Sequence, residues 1–149
     1  EAREDEKDRL LHLALNNLAW CLVKMEQYAE AMSYAKEALS LQPAQAEYHH
    51  TLANIFAGLD NKPKALLAAR MAFKLDPTNP EHLVYCAKME IENQNHEKAK
   101  KILEIVLEAD FDEYYKKQAK DIVNERNYEI RERHMNSQHV KPNLPTTNQ

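Results

Sequence analysis

The stretch from Ala46 to Asn79 reads AEYHHTLANIFAGLDNKPKALLAARMAFKLDPTN, and it decides the fold because its pattern recurs along the chain. The same order of small, large and proline positions occurs 34 residues earlier, from His12 to Gln45, and much of it returns after Asn79. Self-similarity at this period is typical of helical solenoids, in which each repeat packs mainly on its neighbours. The positions that recur in register are Ala19, Ala53 and Ala87; Ala31, Ala65 and Ala99; and Pro43 and Pro77.

Each unit is predicted to be a pair of helices that approach closely. An alanine near the middle of the first helix and another early in the second leave room for this approach. The proline that ends a unit cannot continue a helix, so the chain turns into the next unit. The chain also has a single glycine, Gly58, which disfavours a sheet protein with tight hairpins. These features indicate an all-α fold.

The pattern resembles the tetratricopeptide repeat over residues 12 to about 110. The resemblance implies a right-handed α-solenoid of three helix pairs, at about residues 12–45, 46–79 and 80–111. Two departures from the usual repeat stand out. Glu26, Asp60 and Gln94 occupy the place of the usual glycine before the mid-repeat turn, and Phe111 stands where a proline is expected.

The two ends of the chain differ from the repeats. Apolar spacing predicts one long first helix from about Asp5 to Met25, with frayed residues 1–8 as the alternative. After the third unit, an apolar edge on an otherwise charged segment predicts a capping helix at about 113–134. The edge consists of Tyr115, Ala119, Ile122 and Ile130. The predicted domain is therefore 1–135, and residues 136–149, which contain two prolines and few apolar side chains, are predicted to be disordered.

The composition and net charge limit the classes of partner that the sequence favours. A net charge of −4 and a pI near 6.0 do not favour nucleic acid or an anionic membrane surface. We also find no apolar run long enough for membrane insertion. Cys21 and Cys86 are predicted to be buried free thiols, which fits a reducing, cytoplasmic location. Because the chain begins at Glu1 rather than Met, it could be a piece of a longer protein.

We find no motif for catalysis. The sequence lacks a Gly-rich phosphate loop, a Gly-x-Ser-x-Gly elbow, a Cys-x-x-Cys pair and a His-Glu-x-x-His pair, so we expect neither an enzyme nor a cofactor. A metal site built from His49, His50 and His82 with Glu47 or Glu81 is an alternative to ordinary packed histidines. We prefer the packed histidines.

In this repeat family the first helices line the concave face, so the resemblance implies that this face binds partners. The side chains placed there are a mixture of amides, aromatic rings and charges, which suits an extended peptide. The predicted binding residues are Asn16, Asn17, Trp20, Lys24, His50, Asn54, Val84, Tyr85 and Lys88. The same register adds Leu13, Glu47, Thr51, Ala57, Glu81 and Glu92 to the face. For Trp20 we keep a second hypothesis, in which it packs on the N-terminal extension of its own helix or on an upstream repeat.

The sequence therefore predicts a non-enzymatic module that binds a peptide or helix of another protein. Its oligomeric state and partner remain open. The alternatives are a co-chaperone or secretion-chaperone-like module, or the docking domain of a larger enzyme. Asn17 resembles an Asn that clamps chaperone tails in large immunophilins, but Glu47 and Thr51 stand where that clamp needs Lys and Arg. We therefore expect acidic chaperone tails to bind negligibly.

Overall fold

The computed structural model of the chain describes residues 2–138, with the side chains of residues 6–127 and 129–137. All the secondary structure in this range is helical. The helices are α1 (Ala2–Lys24), α2 (Tyr28–Leu41), α3 (Ala46–Gly58), α4 (Lys62–Leu75), α5 (Pro80–Glu92), α6 (His96–Glu108) and α7 (Glu113–Gln138). None of these helices is long and apolar enough to cross a membrane.

The helices form three antiparallel pairs that stack in chain order. α1 pairs with α2, α3 with α4, and α5 with α6, while α2 also packs on α3 and α4 on α5. α7 covers the last pair through contacts with α5 and α6. The arrangement is a right-handed α-solenoid of three helix pairs with a C-terminal capping helix, which confirms the predicted fold class.

Buried alanines allow the two helices of each pair to pack closely. Ala19, Ala53 and Ala87 are each 0% exposed, so each first helix meets its partner without a bulky side chain between them. The alanines early in the second helices, Ala31 and Ala65, are also fully buried. Close-packed interiors leave no room for added carbons at such positions, which explains the recurrence of alanine in the sequence.

The mid-repeat turns are closed by left-handed residues other than glycine. Glu26, Asp60 and Gln94 have φ values of 59°, 57° and 65°. In each turn the next N–H donates to a carbonyl five residues back, as in the bond from Asn95 N to Glu90 O at 2.8 Å. These bonds satisfy carbonyl groups at the helix ends and hold the strained conformation in place.

Side-chain caps begin α4 and α7. Asn61 Oδ1 accepts from the N–H of Lys64 at 3.2 Å, and Pro63 lies in the first turn of α4. Asp112 Oδ1 accepts from the N–H of Tyr114 at 2.8 Å, which fixes the start of α7. Such caps satisfy N–H groups that have no partner inside the helix.

An ion pair connects the second and third units. Arg70 in α4 donates through Nε to Glu90 Oε1 at 2.6 Å and through Nη2 to Oε2 at 2.8 Å. Asn95 Nδ2 also donates to Glu90 Oε2 at 2.8 Å. Glu90 is 2% exposed, so this carboxylate is buried but fully engaged.

The prediction for the C-terminal end was wrong. α7 continues to Gln138 instead of ending near residue 134, so residues 136–138 are helical and not disordered. The segment has neither Gly nor Pro, and the Ser137 hydroxyl donates to the His134 carbonyl at 2.9 Å. Residues 139–149 lie outside the described part. At the other end, α1 runs from Ala2 to Lys24, which confirms the predicted long first helix over the alternative of a frayed start.

The two cysteines have different environments. Both are free, and Cys86 is buried as predicted, with burial raising the pKa of its thiol to about 12. Cys21 is exposed, so the prediction of burial was wrong. Its equivalents one and two units later, Ile55 and Met89, are buried in α3 and α5, which pack on the second helix of the preceding unit. In the part of the chain that the structure describes, α1 is the first helix of the stack and has no such neighbour.

Candidate functional site

The concave face contains a groove made of two adjoining cavities. The first, called the aromatic cavity below, has a volume of about 340 Å³. It is formed by the first helices of all three units and by the start of α7. Its lining residues are Trp20, Lys24, His50, Asn54, Glu81, Val84, Tyr85, Lys88, Tyr114, Tyr115 and Gln118.

The second, called the acidic cavity below, has a volume of about 240 Å³ and lies toward the starts of the three first helices. It shares Trp20, His50 and Glu81 with the aromatic cavity, so the two are continuous. Its lining residues are Asn16, Asn17, Trp20, Glu47, His50, Thr51, Asn79, Glu81 and His82.

All nine residues predicted to bind a partner line one or both cavities. They contribute unequally to the accessible surface. Asn16, His50 and Val84 are 8%, 8% and 3% exposed and form the floor of the groove. The remaining six are half-buried or exposed and form its walls.

Sequence reasoning missed the contribution of α7. Tyr114, Tyr115 and Gln118 line the aromatic cavity, although this helix was predicted only to cover the end of the stack. The Tyr114 and Tyr115 rings meet edge to face, with centroids 5.2 Å apart. The tyrosine pair was visible in the sequence, but its position depends on the angle at which α7 leaves α6.

Trp20 lies between the two cavities. Its ring centroid is 6.1 Å from that of His50 in α3, and the Lys24 Nζ lies 4.5 Å from the Trp20 centroid. A lysine over an indole face is held by the ring quadrupole as well as by hydrophobic contact. The structure therefore places Trp20 in the groove and not against the N-terminal extension of α1.

His50 is the centre of the groove floor. Its ring contacts Tyr85 at a centroid distance of 4.7 Å and His82 at 5.1 Å. Burial, helped by the nearby His82 and Lys24, lowers the pKa of His50 to about 4. Burial also lowers the pKa of His82, although Asp76, Glu81 and Glu47 oppose the shift. Both rings are therefore neutral at pH 7.

Charge is divided along the groove. Lys24 and Lys88 line the aromatic cavity, where burial raises the pKa of Tyr85 to about 12 and keeps its phenol protonated. Glu47 lines the acidic cavity, whose lining includes neither Lys nor Arg, and Glu81 lies where the two cavities meet. A ligand in the groove therefore meets cations at one end and carboxylates at the other.

The histidines do not assemble as the metal hypothesis required. His50 and His82 are in contact, but His49 pairs through Nε2 with the Pro43 carbonyl at 2.7 Å. Within residues 2–138, no group of three or more His, Cys, Asp or Glu side chains is arranged to hold a metal ion.

Comparison with known proteins agrees with this architecture. Residues 12–45 match the family described as tetratricopeptide repeat. No curated protein matches the sequence of the chain.

Solved structures of similar fold are numerous, and three represent them. The Sgt2 TPR domain from Aspergillus fumigatus has a TM-score of 0.68 and 18% identity, covering 92% of this chain and 88% of that one. The first TPR of Spaghetti (RPAP3), bound to an HSP90 peptide, has a TM-score of 0.68 and 18% identity, covering 79% of this chain and 97% of that one. MamA 41-end from Desulfovibrio magneticus RS-1 has a TM-score of 0.60 and 22% identity, covering 66% of this chain.

The chain spans 58% of the MamA chain, which is therefore considerably longer. At these identities the likeness concerns the fold alone. Together with the matched repeat, it shows that the chain contains a tetratricopeptide repeat at residues 12–45 and has the fold of tetratricopeptide-repeat domains.

Proposed function

We propose that the chain is a non-enzymatic protein-interaction module that binds an extended peptide or a helix of a partner in the groove. The observation that carries this proposal is the convergence of Trp20, Tyr85 and Tyr114, from three different helices, on one cavity. Aromatic side chains in a concave site are the usual anchors of protein interfaces. Rigid helices hold them in place, so little ordering is needed on binding.

Polar groups beside the rings suit a peptide backbone. Asn54 lines the aromatic cavity and donates through Nδ2 to the His50 carbonyl at 2.9 Å, which leaves its Oδ1 as an acceptor. Gln118 lies on the opposite wall and offers both a donor and an acceptor. An extended ligand could therefore satisfy its N–H and C=O groups while its side chains enter the cavities.

A cytoplasmic location fits this proposal. Cys21 is an exposed free thiol, and Cys86 is a buried one. Exposed thiols persist in reducing compartments.

The test is a selection from a random peptide library displayed on phage, followed by titration of the selected peptides. We expect Trp20→Ala to weaken their binding by about tenfold or more, because truncation of a central aromatic residue typically has this effect. The matched control is Leu67→Ala, since Leu67 is 64% exposed on α4 and lines neither cavity. Circular dichroism and urea unfolding would show that both variants remain folded.

Two outcomes would refute the groove as the binding site. Selected peptides that bind the Trp20→Ala variant as tightly as the wild type would place the site elsewhere. Peptides that depend on Leu67 would move it to the outer face of α4.

The co-chaperone-like alternative is kept because solved structures of similar fold include a domain bound to an HSP90 peptide. For this chain, Glu47 and Glu81 would repel a terminal carboxylate placed beside Asn17. Calorimetric titration with an acidic C-terminal peptide at physiological salt tests the point. Micromolar binding that is lost in Asn17→Ala would favour this alternative over our proposal.

A further inference from the structure

Two polar atoms buried beneath the acidic cavity have no hydrogen-bond partner in the described part of the chain. Asn16 Oδ1 and His82 Nε2 are buried and make no hydrogen bond within the described part of the chain. The two residues are only 8% and 2% exposed, and both line the acidic cavity. A buried polar group without a partner is costly, so a native protein that keeps two of them in one cavity requires an explanation.

The contact between His50 and His82 determines whether His82 Nε2 is a donor or an acceptor. His82 Nδ1 and His50 Nδ1 are 3.3 Å apart, so one neutral ring donates to the other. His50 Nε2 lies 3.8 Å from Glu81 Oε1, and the carboxylate favours the tautomer with a hydrogen on that nitrogen. His50 therefore accepts at Nδ1, His82 donates at Nδ1, and His82 Nε2 is left as an unoccupied acceptor.

Two carboxylates also line the cavity. Glu47 and Glu81 are exposed carboxylates, and within the described residues neither is paired with Lys or Arg. The Thr51 hydroxyl already donates to the Glu47 carbonyl at 3.1 Å. The acidic cavity therefore has two accessible carboxylates at its rim, above a buried amide oxygen and a buried imidazole nitrogen that have no partner.

We propose that the acidic cavity is a subsite for the guanidinium group of an arginine side chain in the partner peptide. This proposal deepens the peptide-binding function and rests on it. Arginine carries five N–H donors in a planar fork, which suits several separated acceptors better than the compact ammonium group of lysine. Trp20 forms one wall, so its ring can stack against the guanidinium plane. Carboxylates on the rim supply charge-assisted hydrogen bonds.

The division of charge then orients the ligand. With arginine in the acidic cavity, the neighbouring part of the peptide enters the aromatic cavity between Trp20 and Tyr85. An acidic residue further along would face Lys24 and Lys88. The ligand class is therefore a peptide with a basic residue in the acidic cavity, an apolar residue in the aromatic cavity and an acidic residue beside Lys24 and Lys88.

The first experiment compares phage selections on wild type and on a Glu47→Gln, Glu81→Gln double variant. Both changes keep the shape of the side chains and remove charge. We expect wild-type peptides to share an arginine at a fixed position and the double variant to lose that enrichment while keeping the apolar preference. Replacing the selected arginine by alanine should weaken binding to wild type by about tenfold or more. Glu92→Gln is the control, since this exposed residue on α5 lines neither cavity.

The results distinguish failure of the arginine subsite from failure of the peptide-binding function. Peptides that depend on Trp20 but contain no shared basic residue would overturn the arginine subsite and leave the peptide-binding function standing. If no peptide depends on Trp20, the subsite is tested alone, by titrating N-acetyl-arginine amide and following the ¹⁵N signal of His82 Nε2. A shift with the arginine compound, absent with N-acetyl-glutamine amide, supports the subsite. No shift with either compound rejects it.

A second variant tests the unpartnered amide. Asn16→Leu removes the buried oxygen and keeps the branching of the side chain, so we expect a higher urea midpoint together with weaker binding of the arginine peptide. A lower midpoint with unchanged binding would show that Asn16 is structural and would remove it from the subsite.

Discussion

Tyr28, the first residue of α2, packs its ring directly against Gly58, the last residue of α3. A Cβ on Gly58 would overlap Cε1 of that ring. The single glycine of the chain therefore occupies a position where no side chain fits, and its φ is not positive. Positive φ occurs instead at Glu26, Asp60 and Gln94.

Gly58→Ala should lower the free energy of unfolding by about 1–3 kcal/mol, because the tyrosine ring must move to admit one carbon. Urea denaturation measures the change. The cost should largely disappear in a Tyr28→Ala background, where the space is open. An equal cost in both backgrounds would show that the ring is not the obstacle.

Gln94→Gly should have the opposite effect. A left-handed conformation is strained for residues with a side chain but not for glycine, which offsets the greater flexibility of glycine in the unfolded chain. We expect the free energy of unfolding to rise by up to about 1 kcal/mol, measured by thermal and urea unfolding. A fall would mean that the Gln94 side chain stabilises the turn by other contacts.

Glu90→Gln should destabilise the domain by about 2–4 kcal/mol, because it breaks a buried ion pair and leaves Arg70 without its carboxylate. Burial raises the pKa of Glu90, but hydrogen bonds from Arg70 and Asn95 outweigh it and hold that pKa below its usual value. The control is Glu92→Gln, which removes an exposed pair with Lys62 and should cost less than about 1 kcal/mol. Equal urea midpoints for the two variants would show that burial of the carboxylate does not determine how much the substitution destabilises the domain.

Stability should fall as the pH drops from 6.5 toward 4. His50 has a pKa of about 4 when folded and its ordinary 6.5 when unfolded, so unfolding takes up a proton between these values. The stabilisation is complete above pH 6.5 and is lost as pH falls through the folded pKa, by at most about 3 kcal/mol for this residue. His82 acts in the same direction.

Thermal unfolding between pH 7 and pH 4.5 measures this dependence. We expect a shallower slope in His50→Gln than in the wild type, and an unchanged slope in His134→Gln, whose side chain is exposed on α7. A His50→Gln variant with the wild-type slope would assign the dependence to other groups.

The repeat architecture was predictable because its signals are local and recur. Ala19, Ala53 and Ala87 mark the close contacts between paired helices. Pro43 and Pro77 mark the turns between units, so the same signals recur along the chain. The placement of groove residues followed from this register, since a helix position fixes the direction of its side chain.

Features that depend on a neighbouring unit were not predictable in the same way. Cys21 has the same position in its unit as Ile55, but it is exposed because no helix packs on that side of α1 in the described part of the chain. Tyr114 reaches the groove only because of the direction of α7. The unpartnered atoms of Asn16 and His82 could not be predicted, because they depend on how the helices assemble around the cavity. Neither residue is unusual in a helix when taken alone.

The groove has a mechanical consequence because it is lined by both α1 and α7. α1 packs on α2 and α3, whereas α7 packs on α5 and α6, so each end of the stack is held by a different set of neighbours. A ligand that contacts Trp20 and Tyr114 together would join the first helix to the last and turn a linear series of contacts into a closed one. Opening of either end would then require release of the ligand, so amide hydrogen exchange should slow at both ends in parallel.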